Sequence, residues 1–128
     1  MIKYALLIGA AVAIAMPDMA AAQVKKGANG GAVVTSQGHP IEFVRKGTDV
    51  VFYFSDDDGS PLQTKNVKAK ATVQDGGKTT TVTLAPSAPN MMVGKTESEL
   101  TPQAKIVLSA TMQLGNHAHT LTARFTGQ

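Results

Sequence analysis

Two histidines separated by one residue, His117 and His119, are the residues of this sequence best suited to chemistry. They follow Gly115-Asn116, a residue pair typical of a tight turn between two strands. Apolar residues recur at every second position on both sides of that turn, which predicts a hairpin over residues 106–125. Because alternate side chains of a strand point the same way, both imidazoles are expected on one face.

The predicted register of this hairpin places a thioether side chain close to the imidazoles. Only one pairing parity puts the apolar residues on a single face, and a turn at Gly115-Asn116 then sets Met112 opposite His119 and Leu114 opposite His117. Paired side chains have Cβ atoms roughly 5 Å apart. Imidazole with thioether is a soft ligand set that suits copper, above all the reduced ion, whereas imidazole alone also suits zinc or nickel.

A third histidine, His39, is in phase with Ile41 and Phe43 on another predicted strand and is a further candidate ligand. The predicted metal ligands are therefore His117, His119, Met112 and His39. The alternative is structural, because the face shared by His117 and His119 continues into Leu121, Ala123 and Phe125. The histidines would then complete the core at the hairpin tip, with Met112 filling a gap.

The rest of the chain follows the same two-residue period, and no window has a helical period. Three more hairpins are predicted, with turns at Gln37-Gly38, Lys46-Gly47 and 75–78. The predicted pairs include Phe43 with Val50, Ile41 with Phe52, Val73 with Thr80, Ala71 with Val82 and Ala69 with Leu84, and residues 32–36 pair with 41–44.

About seven short strands without a helix predict an all-β fold, an antiparallel two-sheet sandwich of immunoglobulin-like type. A small closed barrel is the alternative. Residues 85–103 contain three prolines and are predicted as a crossover loop, with a short strand at Met91-Met92-Val93.

The 128 residues suffice for one compact domain. Residues 1–22 carry Lys3, a short apolar run and Ala20-Ala21-Ala22, which predict a cleavable signal peptide and hence export. We expect residues 23–30 to be a flexible lead-in and residues 31–128 to be the β-sandwich domain.

Several classes of function are poorly supported. The net charge of +3 is spread out and aromatic residues are few, which disfavours a nucleic-acid partner. The absence of cysteine excludes disulfides, thiol nucleophiles and thiolate metal sites. No hydrolase elbow or phosphate loop is present, so we expect no enzyme, and no membrane partner once the signal is removed. Asp56-Asp57-Asp58 lacks the ligand spacing of a helix-flanked calcium loop and fits a plain turn better.

Strand and turn motifs along most of the chain give it a family resemblance. They are Asn29-Gly-Gly-Ala-Val-Val, His39-Pro-Ile-Glu-Phe-Val, Val51-Phe-Tyr-Phe-Ser-Asp-Asp-Asp-Gly-Ser-Pro, Lys70-Ala-Thr-Val, Thr81-Val-Thr-Leu-Ala-Pro and Leu121-Thr-Ala-Arg-Phe. The chain resembles small bacterial periplasmic β-sandwich domains that stand alone or are joined to the periplasmic adaptor proteins of heavy-metal efflux pumps. This resemblance implies a periplasmic accessory protein with an efflux system as partner. The second hypothesis is an immunoglobulin-like module without a metal, which docks another protein of the cell envelope.

Overall fold

The structure, a computed structural model, describes residues 25–114 and 116–127. It contains nine strands within these residues and no helix. The strands are β1 (Lys25–Lys26), β2 (Ala32–Ser36), β3 (His39–Lys46), β4 (Asp49–Phe54), β5 (Lys68–Asp75), β6 (Lys78–Ser87), β7 (Met91–Lys95), β8 (Lys105–Leu114) and β9 (His117–Thr126).

The nine strands form one antiparallel sheet in the order β1-β2-β3-β4-β7-β6-β5-β8-β9, curled into a half-barrel. The predicted all-β class is confirmed, but the sheet is continuous rather than a two-sheet sandwich of seven strands. The reason lies in β6, whose first part pairs with β5 while Ala85–Ser87 pair with β7. One long strand thereby joins the two halves of the sheet that the sequence suggested were separate.

The concave face of the curled sheet holds the hydrophobic core, to which every strand from β3 to β9 contributes buried side chains. Phe43, Phe52 and Phe125 form its centre, with ring centroids 5.1 to 5.7 Å apart. Tilted and edge-on rings at this spacing add to the stabilisation from their buried area. Because Phe125 belongs to β9, at one edge of the sheet, this cluster ties that edge to β3 and β4 across the interior.

Most predicted registers are confirmed. The β8–β9 pairing sets Met112 opposite His119 and Leu114 opposite His117, and β5–β6 sets Ala71 opposite Val82. The predicted pairing of residues 32–36 with 41–44 is confirmed as well. The β3–β4 register is wrong by two residues, because Phe43 pairs with Phe52 rather than Val50. A shift of two keeps every side chain on its predicted face, so alternation alone could not detect it.

The segment predicted as a flexible lead-in takes part in the sheet, since Lys25 and Lys26 pair with Val33 and Ala32. The turn at residues 27–31 is held on Glu42, a β3 residue that alternates with Ile41 and Phe43 and is only 7% exposed. The Glu42 carboxylate accepts hydrogen bonds from the backbone N–H groups of Asn29 and Gly31 and from the Asn29 side chain. The predicted signal peptide, residues 1–22, lies outside the described residues. No helix able to cross a membrane occurs in the described part of the chain.

The first and last parts of the sheet meet at one end of the half-barrel. The Gln37 side chain donates to the carbonyl of Thr120, and the Thr122 N–H donates to the Ser36 hydroxyl. Side chains therefore link β2 to β9, with no ladder of backbone hydrogen bonds between the two strands among the described residues. This contact places the β2–β3 turn beside the strand that carries His117 and His119.

Candidate functional site

All three histidines lie at the same end of the curled sheet. Neighbouring strands are antiparallel, so strands two places apart in the sheet order run the same way. His39 begins β3 and His117 begins β9, which stand six places apart in that order. Both strands therefore start at one end of the sheet, where β2 and β9 also meet.

His117 and His119 are the first and third residues of β9, directly after the β8–β9 connection. The His117 side chain is exposed and that of His119 is half-buried. Their ring centroids are 6.5 Å apart, with the rings nearly perpendicular. Among the described residues, neither ring makes a hydrogen bond or an ion pair with another residue, so neither imidazole nitrogen is engaged by a polar group there.

Met112 supplies the apolar side of this candidate site. It is directly opposite His119 in the β8–β9 ladder and its side chain is 3% exposed, on the inner face with Ala110 and Leu108. Packing of the hydrophobic core therefore holds Met112, while the partner imidazole stands at the edge of solvent. Thioether sulfur and imidazole nitrogen are both ligand types that soft ions accept.

The structure places His39 in a different environment. Its side chain is 14% exposed, with Nδ1 3.2 Å from the carbonyl oxygen of Ser55 and 3.7 Å from Oδ1 of Asp56. These contacts join β3 to the loop that follows β4. His39 is thus engaged with the 55–61 loop, although it shares an end of the sheet with the other two histidines.

No group of three or more histidine, aspartate or glutamate side chains is placed to hold a metal ion within residues 25–114 and 116–127. His39 is therefore not gathered with His117 and His119 in a preformed three-imidazole site. The residues that the structure does bring together are His117, His119 and Met112, because two of them share a strand and the third is paired with His119.

The acidic loop has the contacts of a turn. Ser60 donates to Asp58 through both its backbone N–H and its hydroxyl, and these hydrogen bonds lower the pKa of Asp58, the hydroxyl having the larger effect. The backbone N–H of Asp56 donates to the Ser60 carbonyl, and Gly59, which has a positive φ, donates back to Asp56. Local hydrogen bonding and glycine conformation thus account for this sequence, as the turn interpretation predicts.

Sequence reasoning missed the role of Glu42. Its alternation with Ile41 and Phe43 puts it on the outer face of the sheet, where the 27–31 turn folds over it and buries it. The available signal was the glycine-rich segment 27–31, because a turn with little side-chain bulk can present several N–H groups to one carboxylate.

Comparison of the chain with protein-family models, curated proteins and solved structures finds no match.

Proposed function

We propose that this chain is an exported, periplasmic, non-enzymatic accessory protein that binds a soft transition metal, copper foremost, for efflux or handling. The ligands are His117, His119 and Met112 at the tip of the β8–β9 hairpin. The observation that carries this proposal is the strand register, which pairs the only buried methionine near the hairpin tip in the described chain with His119. A heavy-metal efflux system is the partner implied by the family resemblance.

The spacing of the imidazoles is compatible with a shared ion. Imidazole nitrogens bind metals at about 2 Å and a ring centre lies about 1 Å from each nitrogen, so two imidazoles on opposite sides of one ion have centres at most roughly 6 Å apart. The observed separation of 6.5 Å is just beyond that limit. The proposal therefore requires the exposed His117 side chain to rotate toward His119 when the ion binds.

The ligand types favour reduced copper over harder ions. Thioether sulfur is a poor ligand for calcium or magnesium and a good one for Cu(I), whereas zinc and nickel would rely on the imidazoles alone. His39 would contribute only after leaving Ser55 and Asp56, so we assign it no ligand role in the hairpin site.

Metal titration of the purified chain tests the proposal. We expect Cu(I) to bind with a dissociation constant of about 1 μM or tighter, and Zn(II) and Ni(II) to bind more weakly. The His117→Ala, His119→Ala double variant should lose at least tenfold in Cu(I) affinity. Met112→Leu keeps the side-chain volume, so it should lower Cu(I) affinity while leaving Zn(II) affinity nearly unchanged.

His39→Ala is the matched control, because it removes an imidazole at the same end of the sheet without touching the hairpin. It should keep Cu(I) affinity within about twofold, and circular dichroism checks that each variant is folded. Absence of any binding tighter than about 1 mM would refute the proposal. Equal affinities of the wild-type chain and the double variant would refute it as well.

The second candidate function is an interaction module that docks another envelope protein without a metal. It is favoured by a row of apolar residues on the outer face of the sheet, where Val44, Val51, Val93 and Ala85 pair in succession across four strands. The three valines are half-buried and Ala85 is exposed. Tyr53 and Met91 are paired in the next row, and both residue types are common in the centres of protein interfaces.

Lysine substitutions in this row of apolar residues distinguish protein docking from metal binding. Val51→Lys with Val93→Lys should abolish a protein–protein complex isolated by cross-linking in cells, while Cu(I) affinity stays unchanged. If the same cross-linked partner is recovered with the charged variant, docking by this row is wrong.

A further inference from the structure

The outward positions of β5, β6, β8 and β9 form a second outer surface, which we call the basic face. Its cations are Lys68, Lys70, Lys105 and Arg124, all exposed. The remaining positions are mainly hydroxyl side chains, namely Thr72, Thr79, Thr81, Thr83, Ser109, Thr111, Thr120, Thr122 and Thr126, with Gln74 and Val107 among them. No carboxylate stands among these described positions.

The separation of charge is a property of the fold. The whole chain has 12 lysines and arginines and 9 acidic residues, and along the sequence these charges are spread out. The carboxylates of the described residues lie elsewhere: in the 55–61 loop, beneath the N-terminal turn, at the start of β4, and near the 96–104 loop. The basic face therefore holds four positive charges without a counter-charge of its own.

The cations are arranged in two pairs. Lys68 and Lys70 flank a shallow groove of about 320 Å³ that is also lined by Thr83, Ser109 and Thr111. Their ammonium groups have no carboxylate within ion-pair distance among the described residues. Lys105 lies four residues along β8 from Ser109, the partner of Lys70, so the second pair is roughly 13 Å away along the strands.

We propose that the basic face docks on an anionic lipid surface and binds phosphoryl oxygens of the headgroups with its ammonium, guanidinium and hydroxyl groups. One phosphate is too small to reach both cation pairs, whereas a lipid surface presents many phosphates side by side. No aromatic side chain stands on this face in the described chain, so it lacks the stacking platforms of single-stranded nucleic-acid binders. Val107 is the one large apolar side chain among its described positions, so the face also lacks the broad aromatic and apolar centre of a protein interface.

This association is peripheral, with no apolar segment entering the bilayer, and it is independent of the metal site. It departs from the expectation, drawn from the sequence, of no membrane partner once the signal peptide is removed. Binding held by a few lysines and arginines falls steeply as salt increases, because added ions screen the surface potential.

Vesicle sedimentation with the purified chain tests the proposal. Vesicles of phosphatidylcholine alone and with about one third phosphatidylglycerol are compared at low salt and at 0.5 M salt. We expect at least tenfold stronger binding to the anionic vesicles, lost at high salt. Lys68→Gln with Lys70→Gln should weaken that binding by about thirtyfold.

Lys46→Gln with Lys65→Gln is the matched control. It removes the same charge from exposed positions outside the basic face, and we expect binding within about threefold of wild type. Equal binding to neutral and anionic vesicles, or equal effects of the two double variants, would overturn the proposal. Inorganic phosphate or a soluble sulfated polysaccharide that binds as tightly as the vesicles would overturn the assignment to a lipid surface.

Discussion

At the scale of single residues, Glu42 is the side chain whose environment departs furthest from its sequence pattern. A carboxylate that is 7% exposed must be stabilised by donors, and here the backbone N–H groups of Asn29 and Gly31 and the Asn29 amide supply them. Gly27 has no side chain, and a Cβ at this position would overlap the Glu42 carboxylate. One buried acid thus fixes the N-terminal turn against the outer face of β3.

Glu42→Gln should destabilise the fold. The amide of glutamine places a donor where the N–H groups of the turn need an acceptor, and the charge-assisted hydrogen bonds are lost. We expect a loss of about 2 kcal/mol in the free energy of unfolding, or roughly 10 °C in Tm. Thermal denaturation measures it, with the exposed Glu99→Gln as control. A Glu42→Gln variant as stable as that control would show that the turn is not held by this carboxylate.

Asp75 makes the fold sensitive to acid. The backbone N–H and the hydroxyl of Thr101 both donate to its carboxylate, and these hydrogen bonds lower the pKa of Asp75, the backbone contact having the larger effect. Because the pKa is lower in the folded chain, the contribution to stability is present above the unfolded pKa of about 3.9 and is lost as the pH falls through the folded pKa.

Below about pH 4, the free energy of unfolding of the Asp75→Asn variant should therefore change less steeply with pH than that of the wild type. The difference in this free energy between neutral and acidic solution should be smaller as well. Urea denaturation between pH 2 and pH 7 measures this slope. An Asp75→Asn chain with the acid dependence of the wild type would contradict the assigned role.

At the scale of elements, hairpins were predictable and long-range pairings were not. Alternation and turn residues predict the β5–β6 and β8–β9 registers, and in the β5–β6 turn Gly76 and Gly77 both have the positive φ that a tight turn requires. The β3–β4 register was missed because a shift of two residues preserves both faces. Pairings such as β4–β7 and β5–β8 join strands distant in sequence, and no local signal encodes them.

The β8–β9 register can be tested chemically, since the chain has no cysteine of its own. Thr111 and Thr120 are paired, and their hydroxyl oxygens are 3.3 Å apart on the outer face. The Thr111→Cys, Thr120→Cys variant should form an intramolecular disulfide readily on mild oxidation, because directly opposed residues of antiparallel strands have Cα separations of about 4.5 to 5.5 Å, within the range that a disulfide requires. Mass spectrometry measures its yield.

A variant in which one cysteine is moved by two residues along β8, Ser109→Cys with Thr120→Cys, serves as the control for that experiment. These positions are diagonal rather than opposite in the ladder, so the yield should be much lower. A higher yield for the shifted pair would disprove the register and separate Met112 from His119.

At the scale of the whole molecule, the curled sheet gives the chain one interior and two unlike outer surfaces. The interior was predictable residue by residue, since every position that alternation placed inward between Ile106 and Ala110 is buried. The single continuous sheet was not, because it depends on β6 serving both halves. The candidate site was predictable as far as the Met112–His119 pair, which is local, whereas the separate environment of His39 depends on the 55–61 loop.

X-ray absorption at the copper edge of the Cu(I)-loaded chain tests the central proposal most directly. We predict nitrogen and sulfur scatterers in the first coordination shell, with the sulfur contribution lost in Met112→Leu and retained in His39→Ala. A first shell without sulfur, or a sulfur signal unchanged by Met112→Leu, would contradict a site built from His117, His119 and Met112.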